Sequence, residues 1–344
     1  MTVPAAVLGV GWVAGLAAIR SLGRAGIRVL AVDDRRSALG FRSRYAEPHV
    51  APARRAPEYV AYLQTLGEAV AFPTHDDDLQ TLARARDELP LICPFPGWEV
   101  LGKIQDKREQ VAAARRVGIH VPRADDWSFP VLVKPADPPA FRTRFGVKAF
   151  RAENDAELSA ALERAREFDP IVQEWIPGGD EALWSAGVYV TQQGEPLGLF
   201  TGRKLQQTPR AIGTARVAEA RWRPELADAA VSLLRELRFH GVAQVEFKLD
   251  PRDAQFKLIE VNPRLWEWHG LAAACGVDLP RIAYLDATGS PPPPATMRGD
   301  GKRWAITLAR KSLPQFQRPP YIDAMWARDD PRPAIVHLAR VLRP

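Results

Sequence analysis

The sequence predicts an α/β protein with a parallel sheet in its N-terminal part. Apolar strands alternate with helix-length stretches from residue 5 to about residue 95, and this alternation is typical of a parallel sheet with helices on both faces. A chain of 344 residues with 46% hydrophobic residues is also long enough for two or three domains.

The elements of this first part can be predicted in order from their periodicity. We expect strands over 5–10, 27–32, 69–72 and "LPLICPF", and helices over 13–25, near 57–67 and near 77–88. A new unit begins near Trp98, where "KIQDKREQVAAARRVGIHVP" has the composition of one helix that stops at Gly118.

The second part is richer in strands. We expect strands at "VLVKP", "VKAFRA", on both sides of the Gly-rich turn in "IVQEWIPGGDEALWSAGVYV", and over 242–250 and 256–262. Asn154 and Glu157 form a capping-box pattern before a helix over 155–168, and Pro224 suits the first position of a helix over 224–238. The run "SPPPP" predicts an extended linker before a basic C-terminal segment.

Composition argues against several classes of protein. Two cysteines, Cys93 and Cys275, cannot form a disulfide framework or a four-ligand zinc site alone, which favours a reducing cytoplasm. The uncharged run from Thr2 to Ile19 has no basic region before it and contains three glycines, so we expect neither a targeting signal nor a membrane segment. The net charge of +6 is compatible with acidic or phosphorylated substrates and gives little support for nucleic acid.

The stretch "VAQVEFKLDPRDAQFKLIEVNPR" predicts a hairpin with two facing carboxylates. Because side chains alternate along a strand, Gln244, Glu246 and Lys248 share one face of the first strand. On the second strand, Leu258, Glu260 and Asn262 share one face. With a turn over 251–255, Glu246 lies opposite Glu260, and Gln244 lies opposite Asn262. Adjacent carboxylates repel each other, and a cation such as Mg²⁺, which prefers oxygen ligands, would remove the repulsion. A solvated polar face in which Lys248 offsets the charge is the alternative.

Lys134 raises a similar choice, because it ends the apolar strand "VLVKP". A phosphate partner would explain a lysine that points inward. A lysine at the sheet edge whose amino group reaches water is the other interpretation.

The motifs "DK…GIHVP", "VLVKP", "VQEWIPGGD", "VEFKLD" and "LIEVNPR", in this order, resemble the ATP-grasp superfamily. "GRKLQQTP" and "EVNPRLWEWHGLA" are most similar to its stand-alone carboxylate–amine ligases. The resemblance implies a Rossmann-like pre-ATP-grasp domain over 1–97 and a two-lobed α+β ATP-grasp domain over 98–290, with nucleotide between the lobes. The small lobe would cover about 120–177, and 291–344 would be a Pro-rich linker and basic C-terminal segment.

The resemblance also implies the roles of particular residues. Lys107 and Lys134 would contact the ATP phosphates. Adenine would be held mainly by backbone groups of Glu174, Trp175 and Ile176. Asp180 or Glu181 would accept hydrogen bonds from the ribose. The Mg²⁺ ligands, with Mn²⁺ as the alternative metal, would be Glu246, Glu260 and Asn262. Arg264 would face the acyl phosphate or the oxyanion, and Lys204 would reach the γ-phosphate.

The sequence departs from the family pattern in two places: the loop that closes over the ATP phosphates, called the lid loop below, and a position that faces the substrate. The predicted lid loop, "PADPPAFRTRFGVK", has one glycine and three prolines, so it offers few backbone amides to phosphate. Arg142 and Arg144 are candidates to replace those donors. Gln244 stands where some members have arginine.

Three further motifs have competing interpretations. "GVGWVAG" has the spacing G-x-G-x-x-x-G, looser than the dinucleotide fingerprint; a structural turn and a substrate contact at the helix N-terminus are favoured over NAD binding. "THDDD" precedes a helix and favours capping over a metal cluster. Trp266 and His269, three residues apart on a predicted helix face behind Glu260, belong either to the core or to an aromatic substrate pocket.

The resemblance implies an ATP-dependent carboxylate–amine ligase that forms an amide or peptide bond through an acyl phosphate and releases ADP. Its partners would be a small-molecule carboxylate and an amine, with no nucleic acid and no membrane; a homodimer is left open. A nucleotide-binding module without turnover, such as a sensor, and an NAD-dependent oxidoreductase are the alternatives. The sequence does not identify the acid or the amine.

Overall fold

The computed structural model describes residues 2–125, 127–135, 138–210, 212–307 and 321–342. They form one parallel sheet, one large mixed sheet and one small antiparallel sheet. None of the helices in these ranges is long and apolar enough to cross a membrane.

The first sheet is parallel and has the strand order β3-β2-β1-β4-β5. Its elements are β1 (Ala5–Leu8), α1 (Val13–Arg24), β2 (Val29–Asp33), β3 (Ala46–Val50), α2 (Glu58–Gln64), β4 (Ala69–Pro73), α3 (Asp76–Arg84) and β5 (Leu91–Ile92). The predicted parallel alternation is confirmed. The sequence did not reveal β3, because this partly exposed edge strand, "AEPHV", lacks the apolar run of its neighbours.

The single helix predicted after Trp98 is wrong, since the structure has two, α4 (Trp98–Gln105) and α5 (Lys107–Arg116). Asp106 separates them in an extended conformation, and its side chain accepts a hydrogen bond from the backbone N–H of Arg108. An aspartate in the N-cap position starts the second helix at this point.

The small sheet has the order β7-β6-β8 and is covered by two helices. Its elements are β6 (Val131–Lys134), α6 (Pro138–Phe145), β7 (Phe150–Ala152), α7 (Asp155–Ala165) and β8 (Ile171–Glu174). The predicted Asn154 cap is confirmed, since its side chain accepts a hydrogen bond from the Glu157 N–H. The predicted lid loop is instead largely the helix α6, and Phe141 explains why: its side chain is fully buried among Phe145, Phe150 and Phe168.

The large sheet has the order β13-β12-β9-β10-β11-β15-β16, with β14 paired to β10. Its strands are β9 (Leu183–Val190), β10 (Pro196–Thr208), β11 (Thr214–Ala220), β12 (Gly241–Asp250), β13 (Gln255–Asn262), β14 (Ala295–Thr296), β15 (Arg303–Ala305) and β16 (Tyr321–Asp323). The helices that accompany it are α8 (Pro224–Glu236), α9 (His269–Ala274), α10 (Leu279–Ala287) and α11 (Arg332–Val341).

The buried side chains explain how these sheets are held together. Residues of the first sheet, such as Val7, share one apolar cluster with Phe200 and Trp268 of the large-sheet region. The small sheet has a cluster of its own around Val131 and Phe141. The first and large sheets therefore share continuous cores, and the cleft described next lies where all three sheets meet.

Candidate active site

The two predicted carboxylates face each other on the large sheet. Glu246 on β12 pairs directly with Glu260 on β13, and Gln244 pairs with Asn262. The predicted pairing of these four residues is confirmed. All four line the cleft, which has a volume of about 790 Å³.

The predicted register is wrong at the turn end of the same hairpin. Asp250 pairs with Gln255 and Phe247 pairs with Leu258, so the connection covers residues 251–254, one residue fewer than predicted. An extra residue between Leu258 and Glu260 restores the predicted pairing, as in a β-bulge. Leu258 therefore lies on the face of Phe247 and not with Glu260; its N–H donates to the carbonyl of His120.

A lysine accompanies each carboxylate. The Lys204 Nζ atom on β10 lies 3.0 Å from Glu246 Oε1, and Lys107 Nζ lies 3.4 Å from Glu260 Oε2. Asn262 donates to Glu260 Oε1 at 3.2 Å. The repulsion expected between two adjacent carboxylates is thus offset by amino groups within this chain.

Lysines dominate the electrostatics around Glu260. Burial alone would raise its pKa, but the positive charges of Lys107, Lys148 and Lys134 hold the pKa well below its usual range. Burial also lowers the pKa of the Lys134 ammonium to about 7, and the charge of Lys107 adds to the shift. Of the two interpretations of Lys134, the structure therefore agrees with a lysine that points inward. It lies next to Glu260, whose charged form is favoured.

Lys148 is a site residue that the sequence motifs did not single out as a nucleotide contact. It lies just before β7, lines the cleft, and contributes to the low pKa of Glu260. The available signal was its position at the start of "VKAFRA", opposite the lysine of "VLVKP". Arg144 is exposed, and the side chain of Arg142 lies outside what the structure describes.

A smaller cavity of about 90 Å³ adjoins the carboxylates and reaches the segment predicted to hold adenine. Glu174, Trp175 and Ile176 all line it. The backbone N–H groups of Glu174 and Trp175 donate to the carbonyls of Arg123 and Pro130, so they are not available to a ligand.

The carboxylate of Glu174 also belongs to the structure of this wall. It accepts from the Arg123 N–H and from Arg252, and these contacts outweigh burial and lower its pKa. Asp180 accepts two hydrogen bonds from Gln207, one from the backbone N–H and one from the side chain. Neither Asp180 nor Glu181 lines the two cavities, so their predicted ribose contacts remain predictions.

Arg264 points into the cleft and is held by a residue of the first sheet. Its guanidinium makes two hydrogen bonds to Asp76, from Nε at 2.6 Å and from Nη2 at 2.9 Å. Asp76 belongs to "THDDD", where Asp76, Asp77 and Asp78 occupy the first turn of α3 as predicted. None of the side chains caps this helix; they bind Arg264, Arg55, Arg54 and Tyr59 instead.

The glycine turn of "GVGWVAG" borders the cleft. Gly9 has φ +82°, and a Cβ atom there would lie 2.5 Å from the His75 ring, so the position requires glycine. Gly9 and Trp12 line the cleft, and a Cβ on Gly11 would overlap the guanidinium of Arg35. An arginine already occupies the space beside the second glycine, where a dinucleotide would have to approach.

The helix predicted to carry both Trp266 and His269 starts only at His269. Trp266 precedes it and is 3% exposed, and a Cβ on Gly187 would lie 2.2 Å from its ring. The Nε2 atom of His269 lies 3.0 Å from the Ala14 carbonyl. Trp266 packs in the core, which confirms the core interpretation; it also lines the cleft, and the aromatic substrate pocket stays a prediction.

The donors in the cleft fit a hard divalent cation. Glu246, Glu260 and Asn262 present oxygen atoms, which are the ligands that Mg²⁺ prefers. Among the residues that the structure describes, no group of three or more His, Cys, Asp or Glu side chains could hold a metal ion. The predicted set, with two carboxylates and one amide, would need ligands from outside the protein to hold a cation.

The three sheets and a cleft lined with carboxylates and lysines define an ATP-grasp fold. The model of the family "Carbamoyl-phosphate synthase L chain, ATP binding domain" matches residues 210–291. A D-aspartate ligase of Enterococcus faecium is 26% identical over 182 residues, which is 50% of this chain and 43% of that protein. The chain spans less than half the length of the curated relatives it matches.

Solved structures agree with this fold. The biotin carboxylase domain of Hydrogenobacter thermophilus 2-oxoglutarate carboxylase gives a TM-score of 0.69 at 18% identity, over 87% of this chain and 73% of that one. The L-amino acid ligase of Bacillus licheniformis gives 0.61 at 17% identity, over 83% and 74%. In both sequence and fold, the chain resembles proteins of the ATP-grasp superfamily.

Proposed function

We propose that this protein is an ADP-forming carboxylate–amine ligase. ATP would phosphorylate a carboxylate to an acyl phosphate, and an amine would then displace phosphate to form an amide or peptide bond. The observation that carries the proposal is the facing pair Glu246 and Glu260, with Lys107, Lys134 and Lys204 around it in one cleft. This arrangement suits phosphoryl transfer, which depends on positioning and charge neutralisation rather than on a nucleophilic side chain.

The residues present can be assigned to the two cofactors. Glu246, Glu260 and Asn262 would hold Mg²⁺, with Mn²⁺ as the alternative, and the bound cation would supply charge neutralisation at the transferring phosphoryl group. The structure of the 2-oxoglutarate carboxylase domain contains ADP with magnesium, which supports this choice.

The adenine of the nucleotide would lie at the smaller cavity, and its phosphates would lie where the two cavities adjoin at Glu246 and Glu260. Lys107, Lys134 and Lys148 would face its phosphates, and Lys204 would reach the γ-phosphate from β10. Ile176 is the candidate backbone donor to adenine, because the N–H groups of the two residues before it are already bonded.

The domains would be a Rossmann-like pre-ATP-grasp domain over 1–97, an ATP-grasp region over 98–290 with its small lobe at about 120–177, and a C-terminal segment over 291–344. The first sheet would belong to the first of these domains. The substrates would bind in the larger part of the cleft, between the first sheet and the ATP-grasp region. Arg264, oriented by Asp76, would stabilise the acyl phosphate or the oxyanion formed when the amine attacks. The name D-aspartate ligase of a similar protein supports a small-molecule carboxylate and an amine as substrates. The two buried free cysteines, Cys93 and Cys275, support a cytoplasmic location. A homodimer is compatible with this arrangement.

The proposal is tested by incubating the protein with ATP, Mg²⁺ and panels of carboxylic acids and amines. ADP and phosphate are expected only when an acid is present, and an amide only when both substrates are. Release of AMP and pyrophosphate would contradict the acyl-phosphate route. ATP binding without turnover for every pair would support the sensor instead.

A further inference from the structure

The wall of the cleft formed by α3 carries a second cationic position. Four side chains of this helix line the cleft: Asp76, Asp77, Gln80 and Arg84. Residues four apart lie on one helix face, so the wall runs from the first turn, where Asp76 holds Arg264, to Arg84 in the last turn.

The other polar side chains of this wall have partners. Asp76 binds Arg264, and Asp77 lies 2.8 Å from the Arg55 guanidinium. Gln80 donates to the side chain of Gln105 at 2.7 Å. Within the described parts of the chain, no carboxylate forms an ion pair with Arg84, so its charge is the one on this wall that a ligand could neutralise.

Trp98 fixes the Arg84 side chain at the cleft. The guanidinium carbon lies 3.6 Å from the centroid of the indole ring, and both residues line the cavity. A guanidinium stacked on an aromatic face keeps N–H donors at its rim, where two of them match the oxygen atoms of a carboxylate or phosphate. Stacking also restricts the side chain before a ligand arrives, which reduces the entropy lost on binding.

We infer that Arg84 and Trp98 form a subsite for an anionic group, a carboxylate or a phosphate, at the end of the substrate acid remote from its reacting carboxylate. The inference rests on the proposed function, which places the reacting carboxylate near Arg264. Eight residue steps along α3 separate Asp76 from Arg84, about 12 Å at 1.5 Å per residue. The substrate is thus an elongated acid, up to about three extended residues long.

The test traps the acyl phosphate with hydroxylamine as a substitute amine and measures the hydroxamate. The probes are α,ω-dicarboxylic acids of graded length, monocarboxylic acids of the same lengths, and acids that carry a terminal phosphate ester. The wild-type protein is expected to show a KM about tenfold lower for an acid with a remote anion than for its neutral counterpart, as one charged hydrogen-bonded contact allows. The chain length of the acid with the lowest KM measures the distance from the reacting carboxylate to Arg84. The terminal group that gives the lower KM shows whether the subsite prefers a carboxylate or a phosphate.

Arg84→Gln is expected to abolish this preference, so that the ratio of the two KM values falls to about one. The matched control is Arg116→Gln, which removes an arginine from the last turn of α5, outside the cleft and paired with Glu236. The control is expected to keep the wild-type ratio. A melting temperature lowered in Arg84→Gln with the preference unchanged would show that Arg84 only stabilises the end of α3, and would overturn the subsite.

A binding measurement separates this inference from the proposed function. Ligand-observed NMR with the same acids and a non-hydrolysable ATP analogue requires no turnover. One outcome would be that no hydroxamate forms, while in the binding experiment the wild type prefers acids with a remote anion and Arg84→Gln does not. This outcome would refute the ligase reaction and support the subsite. Equal binding of acids with and without the remote anion to the wild type refutes the subsite, whatever the turnover.

Discussion

At the scale of single residues, the site is defined by the balance between two carboxylates and the lysines around them. The hairpin sequence predicts repulsion between Glu246 and Glu260, so that removal of one charge would stabilise the protein without ligand. The structure reverses that expectation for Glu260. Its pKa lies well below the usual range because three lysines favour its charged form.

Glu260→Gln is therefore expected to lower both turnover and stability. Loss of the negative charge leaves Lys107 without its ion-pair partner and Lys134 with Glu246 as its other favourable carboxylate, at a cost of about 1–3 kcal/mol in the free energy of unfolding. Urea denaturation and ADP release should be measured on the same preparation. Normal ADP release by this variant would end the assignment of Glu260 as a metal ligand, and higher stability would contradict the electrostatic description.

Lys134 provides a prediction about protons. With a pKa of about 7, its side chain is mostly neutral at pH 8 in the free protein. Negative phosphates raise the pKa of a nearby ammonium group, so ADP binding at pH 8 is expected to take up protons. Calorimetry in buffers of different ionisation enthalpy measures this uptake. Lys134→Arg keeps the charge but does not titrate, and uptake as large as that of the wild type would exclude Lys134 as the source.

At the scale of elements, the sequence predicts the site better than the segments around it. Strand alternation has a period of two, so the pairing of Glu246 with Glu260 could be derived from spacing alone. The bulge before Glu260 could not, because it depends on the Leu258 N–H bonding outside the ladder to His120. The helix α6 was missed for a similar reason, since it is stabilised by the burial of Phe141 against rings distant in sequence.

Another contact between elements that the sequence does not predict joins the C-terminal segment to α1. Asp330 is 1% exposed; its carboxylate accepts a hydrogen bond from Arg20 at 2.9 Å, and further bonds from the Ser43 hydroxyl and the Arg44 N–H. The adjacent Asp329 forms an exposed pair with Arg24.

Asp330→Asn leaves the buried guanidinium of Arg20 without its counter-charge and is expected to cost about 3–5 kcal/mol of stability. Asp329→Asn removes an exposed pair and is the matched control, with an expected cost of about 1 kcal/mol or less. Thermal denaturation and limited proteolysis of the C-terminal segment measure both variants. Similar stability of the two variants would contradict the role of the buried pair.

At the scale of the whole molecule, the cleft lies where the three sheets meet. Alternating strands and helices predicted the first sheet, and five ordered motifs predicted the ATP-grasp region. The ion pair between Asp76 and Arg264 could not be predicted, because it joins residues 188 positions apart that only the packing of the first sheet on the large sheet brings together. That pair joins α3 of the first sheet to the segment that follows β13 at the cleft.

The central claim, that a carboxylate is activated as an acyl phosphate, is tested most directly by isotope transfer. The protein is incubated with ATP, Mg²⁺, hydroxylamine and a pool of carboxylic acids labelled with ¹⁸O in the carboxylate, and the released phosphate is examined by ³¹P NMR. An acyl phosphate transfers one carboxylate oxygen to phosphate, so a signal shifted by one ¹⁸O atom is expected, together with ADP. Hydroxamate formed with unlabelled phosphate, or with AMP and pyrophosphate, would contradict the account.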